Sequence, residues 1–159
     1  MEITTEQNVQ MKNVLSFRAQ LDQKGLESKR IEINNVMNRF GVRPIHPAVT
    51  ANFGPVDTDQ GRLIDMEILT PINKDISHEI AIAKIPGYRF KPEFLLTNAV
   101  RAHIEGAGLM EDAIKELYKF IQVRNLRPIT ALYTFFQNEP DDPKDLIIDL
   151  MIGVDPNIL

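Results

Sequence analysis

The sequence has no cysteine among its 159 residues, which excludes disulfide bonds and thiolate metal sites. Net positive charge is absent as well: 22 acidic residues outnumber 18 lysines and arginines, the net charge at pH 7 is −4, and the basic residues form no stripe. Nucleic-acid binding without sequence preference needs such a stripe, so we expect no nucleic-acid partner. No apolar run approaches the ~20 residues of a membrane-spanning helix, so we expect no membrane segment.

Signals for a metal or a bound cofactor are missing as well. The three histidines, His46, His78 and His103, have no spacing typical of metal ligands. The turn Gly106-Ala107-Gly108 lacks the Lys-Ser/Thr pair of a phosphate-binding loop, so we predict no metal and no cofactor. Residues 1–7 are polar and lack the apolar segment of a signal peptide, which favours a cytoplasmic location.

What the sequence does contain is an internal repeat at a constant offset. Arg43-Pro44-Ile45 recurs as Arg127-Pro128-Ile129, an offset of 84 residues (127 − 43). The same offset maps three further segments onto counterparts: Thr50 onto Thr134, Ile64-Asp65 onto Ile148-Asp149, and Ile68 onto Ile152. We therefore predict one domain, residues 1–159, made of two repeats at about 9–70 and 92–155 that residues 71–91 join.

Hydrophobic periodicity predicts the same order of elements in both repeats. Apolar residues alternate over 9–21, then recur at helical spacing over 26–40, and a hairpin follows. The corresponding segments are a strand at 94–104, a helix at 109–124, and a hairpin of 129–136 with 146–154. In the joining segment, Glu79–Lys84 is predicted to add an edge strand. The predicted class is α+β: a tandem β-α-β-β repeat forming an antiparallel sheet, with helices on one face and a cleft between the repeats.

Four segments of the second repeat carry a resemblance to a known family. They are Leu117–Ile121, Leu126-Arg127-Pro128, Ala131–Phe135 and Leu146–Val154. In this pattern the chain resembles the bacterial GyrI-like small-molecule-binding domain, the effector-binding part of AraC-type and MerR-type regulators. The resemblance implies that bulky, partly apolar and often cationic molecules bind in the cleft, between aromatic walls and beside a buried glutamate. The strand Ala131–Phe136 departs from the family because it has no acid beside its aromatic residue.

Alternation along the strands identifies residues that could contact such a ligand. Asp65 and Glu67 are predicted to point away from the helix, and Glu67 is the predicted ligand-pairing acid. Asp65 recurs as Asp149, which favours a structural role for both, such as pairing with Arg43 and Arg127. The predicted ligand-binding set contains Glu67 and five further residues: Leu132, Phe136, Met151, Thr50 and Thr134.

The function predicted from these features is non-catalytic binding of a small, partly apolar molecule in the cleft, for sensing or sequestration. The alternative is an accessory protein that uses the same fold to bind a polypeptide, such as a co-encoded toxin or secreted protein. We assign no catalytic residue, because no nucleophile or base accompanies Asp65 and Glu67, and an enzyme acting on a reactive small substrate is the weakest of the three hypotheses. The oligomeric state is left open.

Overall fold

The computed structural model describes residues 1–156 and confirms a mixed α+β protein with antiparallel strand pairs. The described residues form six β-strands, three α-helices and two single-turn 3₁₀ helices, Ala107–Leu109 and Pro143–Asp145. The strands and α-helices are, in chain order, β1 (Glu2–Leu21), α1 (Gln23–Arg39), β2 (Val49–Thr58), β3 (Gly61–Pro71), α2 (Ser77–Ala83), β4 (Tyr88–Glu105), α3 (Met110–Val123), β5 (Leu126–Phe136) and β6 (Ile147–Pro156).

The chain divides into two compact units, one of residues 11–94 and one of residues 1–10 with 95–159. In the first unit, β3 pairs antiparallel with both β1 and β2. In the second, β6 pairs antiparallel with both β4 and β5. A long strand, a helix and a hairpin therefore contribute to each unit.

Helix α1 has clear signals at both ends. The Asp22 carboxylate accepts a hydrogen bond from the backbone N–H of Gly25 at 2.6 Å, which satisfies one of the donors left free at a helix start. Gly41 follows the helix with φ +66°, a left-handed conformation that glycine adopts without strain. Helix α3 ends similarly, because Asn125 takes φ +59°. The two helices therefore end within one residue of the ends predicted at 40 and 124.

Each unit has a core in which a helix packs on one face of its strands. In the unit of residues 11–94, α1 contributes Ile33, Val36 and Met37, which pack with Leu15, Phe17 and Ile68 of β1 and β3. In the other unit, α3 contributes Ala113, Leu117 and Ile121, which pack with Ile148, Leu150 and Ile152 of β6. Because neighbouring strand residues point to opposite faces, Ser16 and Glu67 lie on the face that α1 does not cover.

The edge strand predicted at Glu79–Lys84 is wrong, since this segment belongs to helix α2. The Asp75 side chain accepts a hydrogen bond from the Ser77 backbone N–H at 2.8 Å and thereby stabilises the start of the helix. Ile76 and Ile80, four residues apart, are both buried, as one face of a helix requires. Ile82, on the other side of the helix, is 66% exposed. Within residues 1–156, no helix has the length and apolar character that crossing a membrane requires.

Candidate functional site

Glu67 is a buried acid in the middle of strand β3. The register places it between Arg18 of β1 and Ala51 of β2, on the strand face opposite α1, as predicted. Only 6% of the residue is exposed to solvent. A carboxylate in such a position is costly unless charge and hydrogen bonds compensate it.

Two side chains of the same unit supply that compensation. The Ser16 hydroxyl donates a hydrogen bond to Glu67 Oε2 at 2.5 Å, and the Lys91 ammonium donates to the same oxygen at 2.6 Å. Ser16 is buried, whereas 35% of the Lys91 side chain is exposed. We call Ser16, Glu67 and Lys91 the Glu67 cluster. Its charge is balanced within the chain, and its lysine is the member in contact with solvent.

Sequence reasoning found one member of this cluster and missed two. Ser16 lies on the polar face of the alternating first strand, so strand alternation could have placed it on the face of Glu67. No sequence pattern indicated Lys91, because it lies in the segment predicted to join the repeats. It contacts Glu67, which is 24 residues away in sequence.

Next to the cluster, Arg18 and Asp65 form a bidentate ion pair. Arg18 Nε and Nη2 donate to the two carboxylate oxygens of Asp65 at 3.1 and 2.9 Å. The Arg18 guanidinium also lies 3.9 Å from the centre of the Phe53 ring, a cation–π contact. The hydrogen bonds from Arg18 lower the pKa of Asp65, and those to Asp65 raise the pKa of Arg18. The pairing of Asp65 with Arg43 that the sequence suggested is therefore wrong.

The unit of residues 1–10 and 95–159 holds a second buried acid, Asp149. Its Oδ1 lies 2.6 Å from His103 Nδ1, and its Oδ2 accepts a hydrogen bond from Gln137 Nε2 at 2.9 Å. The structural role predicted for Asp149 fits these contacts, but its predicted partner does not. Arg127 instead pairs with Asp155 at 2.6 Å.

Met151 occupies the position that the offset of 84 relates to Glu67 (151 − 67). It is buried on the β6 face opposite α3, where the register places it between Arg101 of β4 and Tyr133 of β5. Its predicted orientation, away from the helix, therefore agrees with the structure. Among the described residues, the buried Arg101 Nε has no hydrogen-bond partner.

The orientation predicted for the other four ligand-binding residues is wrong. Residues paired directly across antiparallel strands share a face. Leu132, Thr134 and Phe136 pair with residues of β6 that pack against α3, and Leu132 and Phe136 themselves belong to the α3 core. Thr50 pairs with Ile68, which packs against α1. These four side chains therefore lie on the helix-covered faces.

Strand register accounts for these errors. A bulge between Asn52 and Pro55 shifts β2 by one residue against β3, which moves Thr50 to the other face. In the other hairpin the connection between β5 and β6 is long, so its length does not define the register from sequence. The observed register gives Tyr133 and Phe135, rather than Leu132 and Phe136, to the face of Met151 and Asp149.

A cavity of about 250 Å³ lies in the unit of residues 1–10 and 95–159. Its apolar lining is Val100, Leu126 and Val154, and its polar lining is Thr5, Glu6, Asn98 and Arg124. None of the predicted ligand-binding residues lines it. Over residues 1–156, no group of three or more histidine, aspartate and glutamate side chains is arranged to hold a metal ion.

Comparison with known proteins identifies the fold. Neither the protein-family models nor the curated protein sequences give a match. Among solved structures, the cryo-EM structure of the EcmrR–DNA complex in EcmrR-RPo aligns with 98% of this chain at 13% identity and a TM-score of 0.75. The crystal structure of the EcmrR C-terminal domain aligns with 98% of this chain at 11% identity and a TM-score of 0.65. This chain spans 57% of the EcmrR chain in the DNA complex and 99% of the isolated C-terminal domain. The chain therefore shares the fold of the EcmrR C-terminal domain, which is consistent with the GyrI-like fold that the resemblance in the sequence implied.

Proposed function

We propose that this chain is a non-catalytic binding module that holds a small, partly apolar molecule at the Glu67 cluster, for sensing or sequestration. The observation that carries the proposal is a buried acid and a buried hydroxyl, bonded to a partly exposed ammonium, on a strand face that α1 does not cover. The fold shared with the EcmrR C-terminal domain is consistent with this role.

Stability alone is a poor reason to keep such a cluster. Replacing a buried ion pair by well-packed apolar residues is often neutral or stabilising, because the desolvation of both ions is avoided. Beside the charged Arg18, the strand face of Glu67 also carries apolar, fully buried residues, namely Val49, Ala51 and Leu69 of β2 and β3. A polar group retained in an apolar surface is the usual pattern of a small-molecule site, where apolar contacts give affinity and a few polar groups give orientation.

Access to the cluster is past Lys91, its most exposed member. A long lysine side chain can move its ammonium into water while its aliphatic stem stays packed. We propose that the ammonium moves aside in this way while the ligand enters and returns to Glu67 once the ligand is bound.

Chemical-shift perturbation on the ¹⁵N-labelled chain tests this function. A fragment library of neutral aromatic compounds is added, and binders are expected to shift the amides of Ser16, Ala51 and Glu67. Glu67→Gln should weaken the binders at least threefold, while Asp57→Asn, which removes the charge of an exposed acid of β2, should leave affinity unchanged. Absence of any perturbation at these amides throughout the library contradicts the proposal.

Binding of a polypeptide is the alternative function, and one observation favours it. The repeated triplets Arg43-Pro44-Ile45 and Arg127-Pro128-Ile129 expose their isoleucines, by 63% for Ile45 and 59% for Ile129. Exposed apolar side chains at matching places are suited to a partner surface. A stoichiometric polypeptide that co-purifies with the chain and is lost in the Ile45→Ser/Ile129→Ser double variant would favour this alternative over small-molecule binding.

A further inference from the structure

Lys91 occupies the place that a ligand cation would need. Its ammonium and the Ser16 hydroxyl both donate to Oε2 of Glu67, at 2.6 and 2.5 Å. These distances are those of charge-assisted hydrogen bonds in close contact. A ligand that brings its own positive charge to Glu67 must first displace this ammonium.

We propose that Lys91 is the specificity-determining residue of the site and makes the chain prefer neutral ligands to cationic ligands of the same shape. This inference rests on the proposed binding function. It concerns the charge of the ligand class, which the fold does not determine, and it follows from a contact made by one side chain of β4.

The physical reason is competition within one chain. A tethered ammonium acts at a high effective concentration, because no translational freedom is lost when it binds. A cationic ligand gains the attraction of Glu67 only after breaking the Lys91 contact, so the gain and the loss largely cancel. A neutral ligand packs on the apolar surroundings of the cluster and leaves the ion pair intact, so it avoids this loss.

Replacing Lys91 by an uncharged residue should reverse the preference, so that cationic ligands bind more tightly than neutral ones. Glu67 is 6% exposed, so without Lys91 its carboxylate would keep the Ser16 hydrogen bond but lose the ammonium bonded to it. Arg18 does not replace it, because its guanidinium is held by both oxygens of Asp65. The uncompensated carboxylate would then attract a ligand cation.

A pair of probes with equal shape and different charge tests the inference. 3-tert-Butylphenol is neutral, and 3-hydroxyphenyltrimethylammonium carries one positive charge in the same outline. Affinities for both are measured by calorimetry or by amide shifts for the full chain, for Lys91→Met, and for Lys91→Arg as the control that keeps the charge. Amide spectra establish that each variant is folded.

We expect the full chain and Lys91→Arg to bind the neutral probe more tightly than the cationic probe. In Lys91→Met the ratio of cationic to neutral affinity should rise at least tenfold, and adding Glu67→Gln should abolish that rise. Binding of both probes with a ratio unchanged by Lys91→Met overturns the inference and leaves the proposed function intact. If neither probe binds any of the proteins and the fragment library also perturbs nothing at the cluster, the proposed function fails and the inference fails with it.

Discussion

Lys91 and Glu67 should contribute unequally to stability although they form one ion pair. Lys91→Met leaves a carboxylate that is 8% exposed with a single Ser16 hydroxyl as its hydrogen-bond donor in the cluster. Glu67→Gln leaves an ammonium whose side chain is 35% exposed and can turn toward water. The loss of stability should therefore be larger for the lysine variant than for the glutamate variant.

The magnitude follows from the burial of the two partners. Removing one partner of a fully buried pair costs about 3–5 kcal/mol, and exposed pairs contribute about 0–1 kcal/mol. Because Lys91 is partly solvated, we expect about 1.5–3 kcal/mol for Lys91→Met. For Glu67→Gln we expect about 0.5–1.5 kcal/mol, because the amide can still accept from Ser16. These losses leave most of the ~5–15 kcal/mol typical of a folded domain.

Urea denaturation followed by circular dichroism measures these free energies, and the double variant closes the cycle. We expect a coupling energy of about 1–2 kcal/mol between the two side chains, since they are in direct contact. A larger loss for Glu67→Gln than for Lys91→Met would refute the assignment of Lys91 as the solvated partner. A coupling below about 0.3 kcal/mol would mean that the ion pair itself does not form in solution.

Three further predictions concern the framework. Leu132→Ala should lower the free energy of unfolding, measured by urea denaturation, by about 2–4 kcal/mol because Leu132 packs in the α3 core. A loss below about 0.5 kcal/mol would mean that Leu132 lies on an open surface instead. Burial, followed by the charge of Glu32, raises the pKa of Tyr88 above its ordinary value of 10.0. The folded state therefore resists ionisation of Tyr88, so the stability that this group contributes is fully present below pH 10.0 and is lost as the pH rises further. Urea midpoints should fall less at alkaline pH for Tyr88→Phe than for the full chain. Equal losses would contradict this cause. Gly87 and Gly61 both have positive φ, but a Cβ on Gly87 would lie 2.9 Å from Phe17 Cε1, whereas a Cβ on Gly61 would meet nothing within 4 Å. Gly87→Ala should therefore lower the thermal midpoint more than Gly61→Ala does. Equal shifts for the two variants would exclude the clash with Phe17.

The elements of the fold were predictable because local signals specify them. Gly41 and Asn125 follow the two long helices in left-handed conformations, and few other residue types tolerate that backbone. Alternation of apolar residues identified β1, although the strand extends to Glu2, beyond the predicted start at Val9. The strand predicted at Glu79–Lys84 was wrong because a short apolar segment fits a short helix and a short strand equally well.

The composition of the site was less predictable because it depends on pairing between distant strands. Glu67 could be assigned from alternation within β3 itself. Thr50 could not, because the bulge before Pro55 reverses the face of every β2 residue that precedes it. Lys91 depends on where β4 runs relative to β3, and no pattern local to Lys91 contains that information.

Comparing acids at positions 84 residues apart distinguishes a structural role from the proposed binding role. Asp65 and Asp149 each contact a basic residue of a neighbouring strand, Arg18 in one unit and His103 in the other. A role in linking strands therefore suffices for both aspartates. Glu67 has no acidic counterpart, since the related position is Met151, and a buried methionine there shows that the strand position does not require a charge. The cost of burying Glu67 beside a partly exposed lysine favours a role that only the unit of residues 11–94 performs, and the proposed ligand selection at this cluster is such a role.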